Sequence, residues 1–222
     1  MMLKIRETDD QKVYVGTDFH LGHNPKWPVP IWEMRGFKST AEHDAAVIDS
    51  VNARVRPNDI LLYLGDFCLN TSINQFESFL ASIQCKHIWS IWGNHNNPHE
   101  KLIYRKMVRA LMPHSEDGTE VYPMAYKNLT YFGNYAEAIV NGQYCVLCHY
   151  PMMVWNHMKH GAWMLCGHSH CGYEPTRAGA TEGKILDCGW DDYKKPLSFL
   201  EIKEIMDKKV VVSAGHHKTD DE

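Results

Sequence analysis

With 222 residues, 44% of them hydrophobic, the chain can bury one substantial core of the size of a single α/β domain. A net charge of -4 with histidines neutral leaves no broad basic field to hold a nucleic-acid backbone, so extended nucleic-acid binding is not expected. No apolar run approaches the roughly 20 residues that span a bilayer, and Met1 to Asp10 is charged rather than signal-like, so a cytoplasmic protein without a membrane partner is expected. The seven cysteines are odd in number and scattered through a chain too long to need disulfide staples, which predicts reduced thiols. Cys145 and Cys148 have CxxC spacing but lie in an apolar run with no second CxxC, and are read as buried strand thiols.

In chain order, Val13 to Thr17 reads as a buried strand delivering the polar loop Asp18-Phe19-His20-Leu21-Gly22-His23. Ser39 and Glu42 form a capping box, after which Ala45, Ile48, Val51, Asn52 and Val55 recur at mostly helical spacing until Pro57. Ile60 to Leu64 is a second strand ending in Gly65-Asp66, completing a βαβ unit. Ser72 and Gln75 cap a helix with Phe76, Phe79, Leu80 and Ile83 inward, and His87 to Trp92 is a strand ending in Gly93-Asn94-His95. Pro98 opens a third helix carrying Leu102, Ile103, Met107 and Leu111. Beyond Thr130 the texture is β-rich, with short strands predicted over 130–132, 136–140, 144–148, 162–166, 184–188, 197–202 and 210–212. An α/β first half and a β-rich second half suggest two sheets packed face to face in one domain over residues 1–215, with a disordered polar tail from 216 to 222.

Five polar clusters each follow a predicted strand: Asp18-Phe19-His20, Gly65-Asp66, Gly93-Asn94-His95, His149 and Gly167-His168-Ser169-His170. Strand ends of this kind converge on one crevice in α/β sheets. Two aspartates, one asparagine and four histidines suit two divalent ions of mixed nitrogen and oxygen coordination, such as manganese, iron or zinc, and the lack of cysteine in the clusters argues against thiolate sites. On extended backbone Asp18 and His20 would point to one side, as would His168 and His170. The glycines before Asp66, Asn94 and His168 permit tight turns and close backbone approach. Two metals about 3.5–4 Å apart can share a hydroxide and clamp a phosphoryl group, which requires a carboxylate between them, and Asp66 is the expected bridge.

In order, these five blocks resemble the signature blocks of the calcineurin-like metallophosphoesterase superfamily over nearly the whole chain. The resemblance implies an α/β fold, a four-layer α/β/β/α sandwich of two mixed sheets flanked by helices. It implies one metal held by Asp18, His20, Asp66 and His170, and a second held by Asp66, Asn94, His149 and His168, manganese being the first expectation and iron, zinc or nickel the others. His95 would contact the phosphate and protonate the leaving oxygen. The protein phosphatases of this superfamily carry Asp-Arg-Gly after the second block and a glutamate after the third, where Phe67-Cys68-Leu69-Asn70 and Asn96 stand here. The extended first block, His20-Leu21-Gly22-His23-Asn24, is similar instead to small bacterial and phage-encoded phosphoesterases.

The expectation is therefore a metal-dependent phosphodiesterase or phosphatase of a small phosphorylated substrate, possibly a nucleotide. A nuclease or DNA-end processor is the alternative within the class, and a catalytically silent scaffold the alternative outside it; retention of His95 and every ligand speaks against the scaffold. His23 either touches substrate or caps its loop, and Lys26, Trp27, Arg35 and Lys38 form either a binding loop over the crevice or an ordinary solvated one. Trp89 and Trp92 read as core. Asp187 and Asp191 follow a late strand but receive no role.

Overall fold

The computed structural model describes residues 2–24, 29–96 and 124–212. Its strands are β1 (Met2–Ile5), β2 (Val13–Gly16), β3 (Ile60–Tyr63), β4 (His87–Ser90), β5 (Met124–Tyr126), β6 (Leu129–Tyr131), β7 (Tyr135–Val140), β8 (Gln143–Cys148), β9 (Trp163–Cys166), β10 (Ile185–Asp187) and β11 (Leu197–Ser198). The helices are α1 (Ile31–Met34), α2 (Thr40–Asn52), α3 (Ile73–Ser82), α4 (Trp190–Tyr193) and α5 (Phe199–Met206), with 3-10 turns at Met158–His160 and Glu174–Thr176.

Two sheets form, in the orders β11-β2-β3-β4-β6-β5 and β1-β7-β8-β9-β10. Both are mixed. In the first, β2, β3, β4 and β6 run parallel and the edge strands β11 and β5 antiparallel; in the second, only the β7–β8 pair is antiparallel.

Side-chain alternation along the strands sets the layers. Val13, Val15, Ile60, Leu62 and Leu64 from the first sheet share one core with Ala136, Ala138, Cys145, Leu147, Trp163, Leu165 and Leu186 from the second, so these faces oppose each other. The intervening residues Leu61, Tyr63 and Ile88 face the other way, onto Val47 and Val51 of α2 and Phe76 and Leu80 of α3. On the outer face of the second sheet, Val146, Cys148, Met164, Cys166 and Ile185 are covered by Trp155 and Met158. Fully burying a Leu or Val contributes about 1.5–3 kcal/mol, and the three cores together hold the strand ends in register. The structure is thus an α/β arrangement of two mixed sheets flanked by helices.

The capping box at Ser72/Gln75 is formed, and Ser39 caps α2. Several sequence expectations need correction. The inward face of α2 is His43, Asp44, Val47 and Val51, with Ala45 exposed, because two polar side chains of that helix are drawn into the loop network described below. The predicted strand 197–202 is a strand for two residues only. Ser198 and Glu201 close a second capping box there, and Phe199, Ile202 and Met206 form the buried stripe of α5, a helical period read as a strand run. Residues 210–212 make a single isolated bridge, Val210 to Glu182, rather than a strand. β1, β5, α1 and α4 are short elements that sequence periodicity does not raise above background. The third helix predicted from Pro98, the tail 216–222, and Lys26 and Trp27 lie outside the described residues. All seven cysteines are free, as expected, and all are buried, Cys145 and Cys148 in β8 as the sequence predicts. Trp92 stacks on Tyr131 and Trp89 packs against the inter-sheet core, both as expected. No helix among the described residues is long and apolar enough to cross a membrane.

Candidate metal centre

Five loops leave the ends of β2, β3, β4, β8 and β9 on one side of the two sheets, and they are zipped to one another by main-chain hydrogen bonds. Asp18 N donates to Gly65 O (3.1 Å), His20 N to Asp66 O (3.0 Å) and Leu21 N to Phe67 O (2.9 Å), joining the first two blocks; Gly167 N donates to His149 O (2.9 Å), joining the last two. Side chains join the halves: Asp18 Oδ2 accepts from His168 N (3.1 Å), and Asp66 Oδ1 accepts from His95 N (2.7 Å).

The backbone is not extended at these residues. Asp18, His20, Asp66, His168 and His170 all have φ between 47° and 67°, the left-handed region. Such φ values cost a non-glycine residue free energy and gather where function holds them. The pairs Asp18/His20 and His168/His170 therefore reach the crevice by turning, not by strand alternation. His168 turns toward Asn94 and His170 toward His20, so the last block serves two places.

Close approach explains two of the glycines. A Cβ on Gly93 would lie 2.1 Å from Asp66 Oδ1, and one on Gly167 would lie 2.4 Å from both Asp18 Oδ2 and Thr17 Oγ1. Gly93→Ala is accordingly expected to force Asp66 or its loop aside, costing about 1–3 kcal/mol of stability as overpacking does. Denaturant midpoints of the two proteins check this, and an unchanged midpoint would contradict it.

The side chains fall into two groups within ligand reach of a common point: Asp18, His20 and His170, and Asp18, Asp66 and His149. In the first, His20 Nε2 lies 3.6 Å from Asp18 Oδ1 and 3.2 Å from His170 Nε2, two ring nitrogens aimed at one spot. In the second, His149 Nε2 lies 3.3 Å from Asp66 Oδ2 and 2.8 Å from Asn94 Oδ1, which is also 2.8 Å from His168 Nδ1. Asp66 Oδ2 is 4.0 Å from His20 Nε2 as well, so Asp66 stands between the groups, and Asp18 belongs to both. All seven residues expected as ligands are brought together.

Whether this donor set fits a cation is tested by its loose ends. Asp18 Oδ1 is buried with no hydrogen-bond partner, in a carboxylate that is fully inaccessible to solvent. A buried charged oxygen that no hydrogen bond satisfies is costly, and a cation on it removes the cost. The nitrogen and oxygen donors, without a thiolate, fit divalent ions of the first transition row. The residues present fit two such ions.

Electrostatics agree with sharing of charge. Burial opposes ionisation of Asp18, but its contact with His20 outweighs this and lowers its pKa to about 2. Asp66 is likewise lowered despite burial, through its hydrogen bond to His149. His149 and His170 are raised although burial works against their charged forms, His149 by Asp66 and His170 by Asp191. Burial keeps His20 below the ordinary imidazole value, and partial desolvation together with the neighbouring His149 does the same for the more open His168.

His95 is exposed, with its ring centroid 5.8 Å from that of His20, beside the groups rather than within them. Asn94 and His168 are exposed with it, which makes this the open side of the crevice. Tyr150 also stands there, 46% exposed, with its ring 4.7 Å from that of His168. His23 caps its own loop: Nδ1 accepts from Ile31 N (3.0 Å), and burial beside His20 lowers its pKa to about 4. Asn96 accepts from Asp66 N (3.4 Å) and from Gly93 N through its side-chain oxygen.

Further residues build the site: Arg35, which the sequence offered only as part of a loop over the crevice, and Asp191, His43 and Asp44, to which it gave no role. Asp191 Oδ2 accepts from His170 Nδ1 (2.8 Å), and Arg35 grips both oxygens of Asp191. His43 and Asp44 of α2 tie Arg35 to Gly22. Arg35 is therefore not part of a solvated loop. The available signal was the buried polar pair His43-Asp44 on an otherwise apolar helix face, visible only once the face is known. Asp187, also unassigned, holds the last block from beneath, accepting from Ser169 Oγ (2.5 Å) and Cys171 N (3.0 Å).

Neither family models nor curated proteins give a match to this chain. Among solved structures, it is similar to the crystal structure of AQ665, a protein of unknown function from Aquifex aeolicus, with a TM-score of 0.58 at 16% identity over 88% of this chain and 99% of that one. That likeness speaks for the fold alone.

Proposed function

We propose that the protein is a phosphoric ester hydrolase of the calcineurin-like metallophosphoesterase type, working with two divalent cations on a small phosphorylated substrate. The observation that carries the reading is the convergence of Asp18, His20, Asp66, Asn94, His149, His168 and His170 from five separate loops, with a buried Asp18 oxygen that accepts no hydrogen bond at its centre. In this reading the four layers are α2 with α3, the two facing sheets, and the segment containing Trp155 and Met158 on the far side.

One cation would be held by Asp18, His20, Asp66 and His170, the other by Asp66, Asn94, His149 and His168. Bound there, such ions supply Lewis acidity toward phosphoryl oxygens and acidify water. The chain's own residues supply the rest. The left-handed turns and the zipped loops hold the donors fixed before substrate arrives. Asn94, His95 and His168 line the open side, where an ester would enter. His95, its main chain anchored on Asp66, is placed to give a proton to the departing oxygen.

Manganese-loaded protein is expected to turn over chromogenic phosphate mono- or diesters or cyclic nucleotides, and chelation to abolish that turnover. Incubation with single-stranded DNA in parallel separates a small-ester hydrolase from a nuclease. No turnover of any of these after manganese, nickel, zinc or iron has been restored would overturn the proposal.

A further inference from the structure

The two ligand groups differ in what stands behind their imidazoles. His149 Nδ1 contacts a main-chain oxygen, Leu64 O at 2.8 Å, and His168 turns its own Nδ1 toward Asn94 Oδ1. Among the described residues His170 alone of the four has a carboxylate behind it, Asp191 Oδ2 at 2.8 Å from Nδ1, while its Nε2 faces the crevice.

Asp191 is in turn fixed by Arg35, whose Nε lies 2.9 Å from Oδ1 and whose Nη2 lies 2.7 Å from Oδ2, a two-pronged ion pair. The same guanidinium donates to Asp18 O (2.7 Å) and Phe19 O (3.1 Å), the carbonyls of the left-handed turn that presents Asp18 and His20. Its remaining contact is His43 Nε2 at 2.8 Å, and its plane lies over Trp190, 5.1 Å from the ring centroid. The Arg35 side chain is 1% exposed, so it sits within the protein with every direction occupied.

We propose that Arg35 and Asp191 are positioning residues for one of the two cations only, that of Asp18, His20 and His170, an inference that rests on the two-cation reading above. Asp191 holds the His170 ring with Nε2 forward and makes it a stronger donor. Arg35 locks Asp191 and the Asp18–His20 turn into one unit, so three ligands of that cation are set by a single guanidinium. Among the described residues Asn94, His149 and His168, the ligands that belong to the other cation alone, make no contact with this pair. Lysine cannot substitute for Arg35, since an ammonium lacks the planar fork that spans a carboxylate and two carbonyls at once.

Direct titration of metal-free protein with manganese, by calorimetry and by metal analysis after dialysis, tests this. In Asp191→Asn, which keeps the side-chain volume, affinity for one ion is expected to fall about 10–100-fold, the usual effect of removing such a support. The second ion should bind as in the parent protein, with circular dichroism unchanged. Arg35→Lys should give the same one-ion loss, and it carries the test if Asp191→Asn does not fold. Two ions bound with parental affinity in either folded variant would overturn the proposal while leaving the two-cation reading intact, and an equal weakening of both ions would overturn the one-site assignment. A parent protein that binds no manganese would overturn both.

Discussion

Asp66→Asn is expected to abolish hydrolysis and to lower metal content below two ions per chain. Both oxygens of Asp66 are committed as acceptors: Oδ1 takes the His95 main-chain N–H at 2.7 Å, and Oδ2 faces His149 Nε2 at 3.3 Å and His20 Nε2 at 4.0 Å. An amide can satisfy only one of the two arrangements at a time. With its NH2 at the first position it meets another donor, and with its NH2 at the second it presents hydrogens where a lone pair is needed between the two ligand groups. The substitution also removes one of the two negative charges, Asp18 and Asp66, that would draw cations into the buried site of the proposal. Metal analysis and turnover on the same preparation check the result; two tightly held ions with parental turnover would remove Asp66 from the bridging position.

His95→Asn is expected to slow the chemical step by about 10²–10⁴-fold, the usual contribution of a general acid, while both ions and the fold are retained. Retention follows from geometry. The contact from residue 95 to Asp66 is made by the main chain, which asparagine keeps, and the ring of His95 belongs to neither ligand group. The loss should be large for a poor leaving group such as a ribose alkoxide and smaller for nitrophenolate, which departs without a proton. Rates for both substrates and metal content of both proteins give the answer. Equal losses would argue against proton donation, and a lost ion would make His95 a ligand.

The five polar blocks were legible because each closes a run of apolar, β-prone residues, and a polar cluster at the end of a buried strand has little reason to exist unless it faces a crevice. Gly93 and Gly167 were legible for the same local reason, and their missing Cβ atoms do make room for Asp66 and Asp18. Where the sequence misled, a local pattern had two solutions. Leu197 to Ile202 is apolar enough for a strand, but Ser198 and Glu201 close a helix cap across it, and two side-chain hydrogen bonds at the helix start decide in favour of the helix. On α2, spacing alone placed Ala45 inward, whereas the packing turns His43 and Asp44 inward to meet Arg35 and Gly22.

The sequence by itself determined the order of strands and polar loops, the nitrogen and oxygen character of the donor set and the absence of thiolate from it, because these depend on residue type and on neighbours within a few positions. The tertiary structure alone decided that Asp18, His20, Asp66, His168 and His170 adopt left-handed turns rather than extended backbone, and that Arg35 and Asp191, separated by 156 residues, meet behind His170. Those outcomes depend on main-chain hydrogen bonds between loops from different strands and on a guanidinium that finds its acceptors only after both sheets have packed, contacts with no periodicity along the chain to announce them.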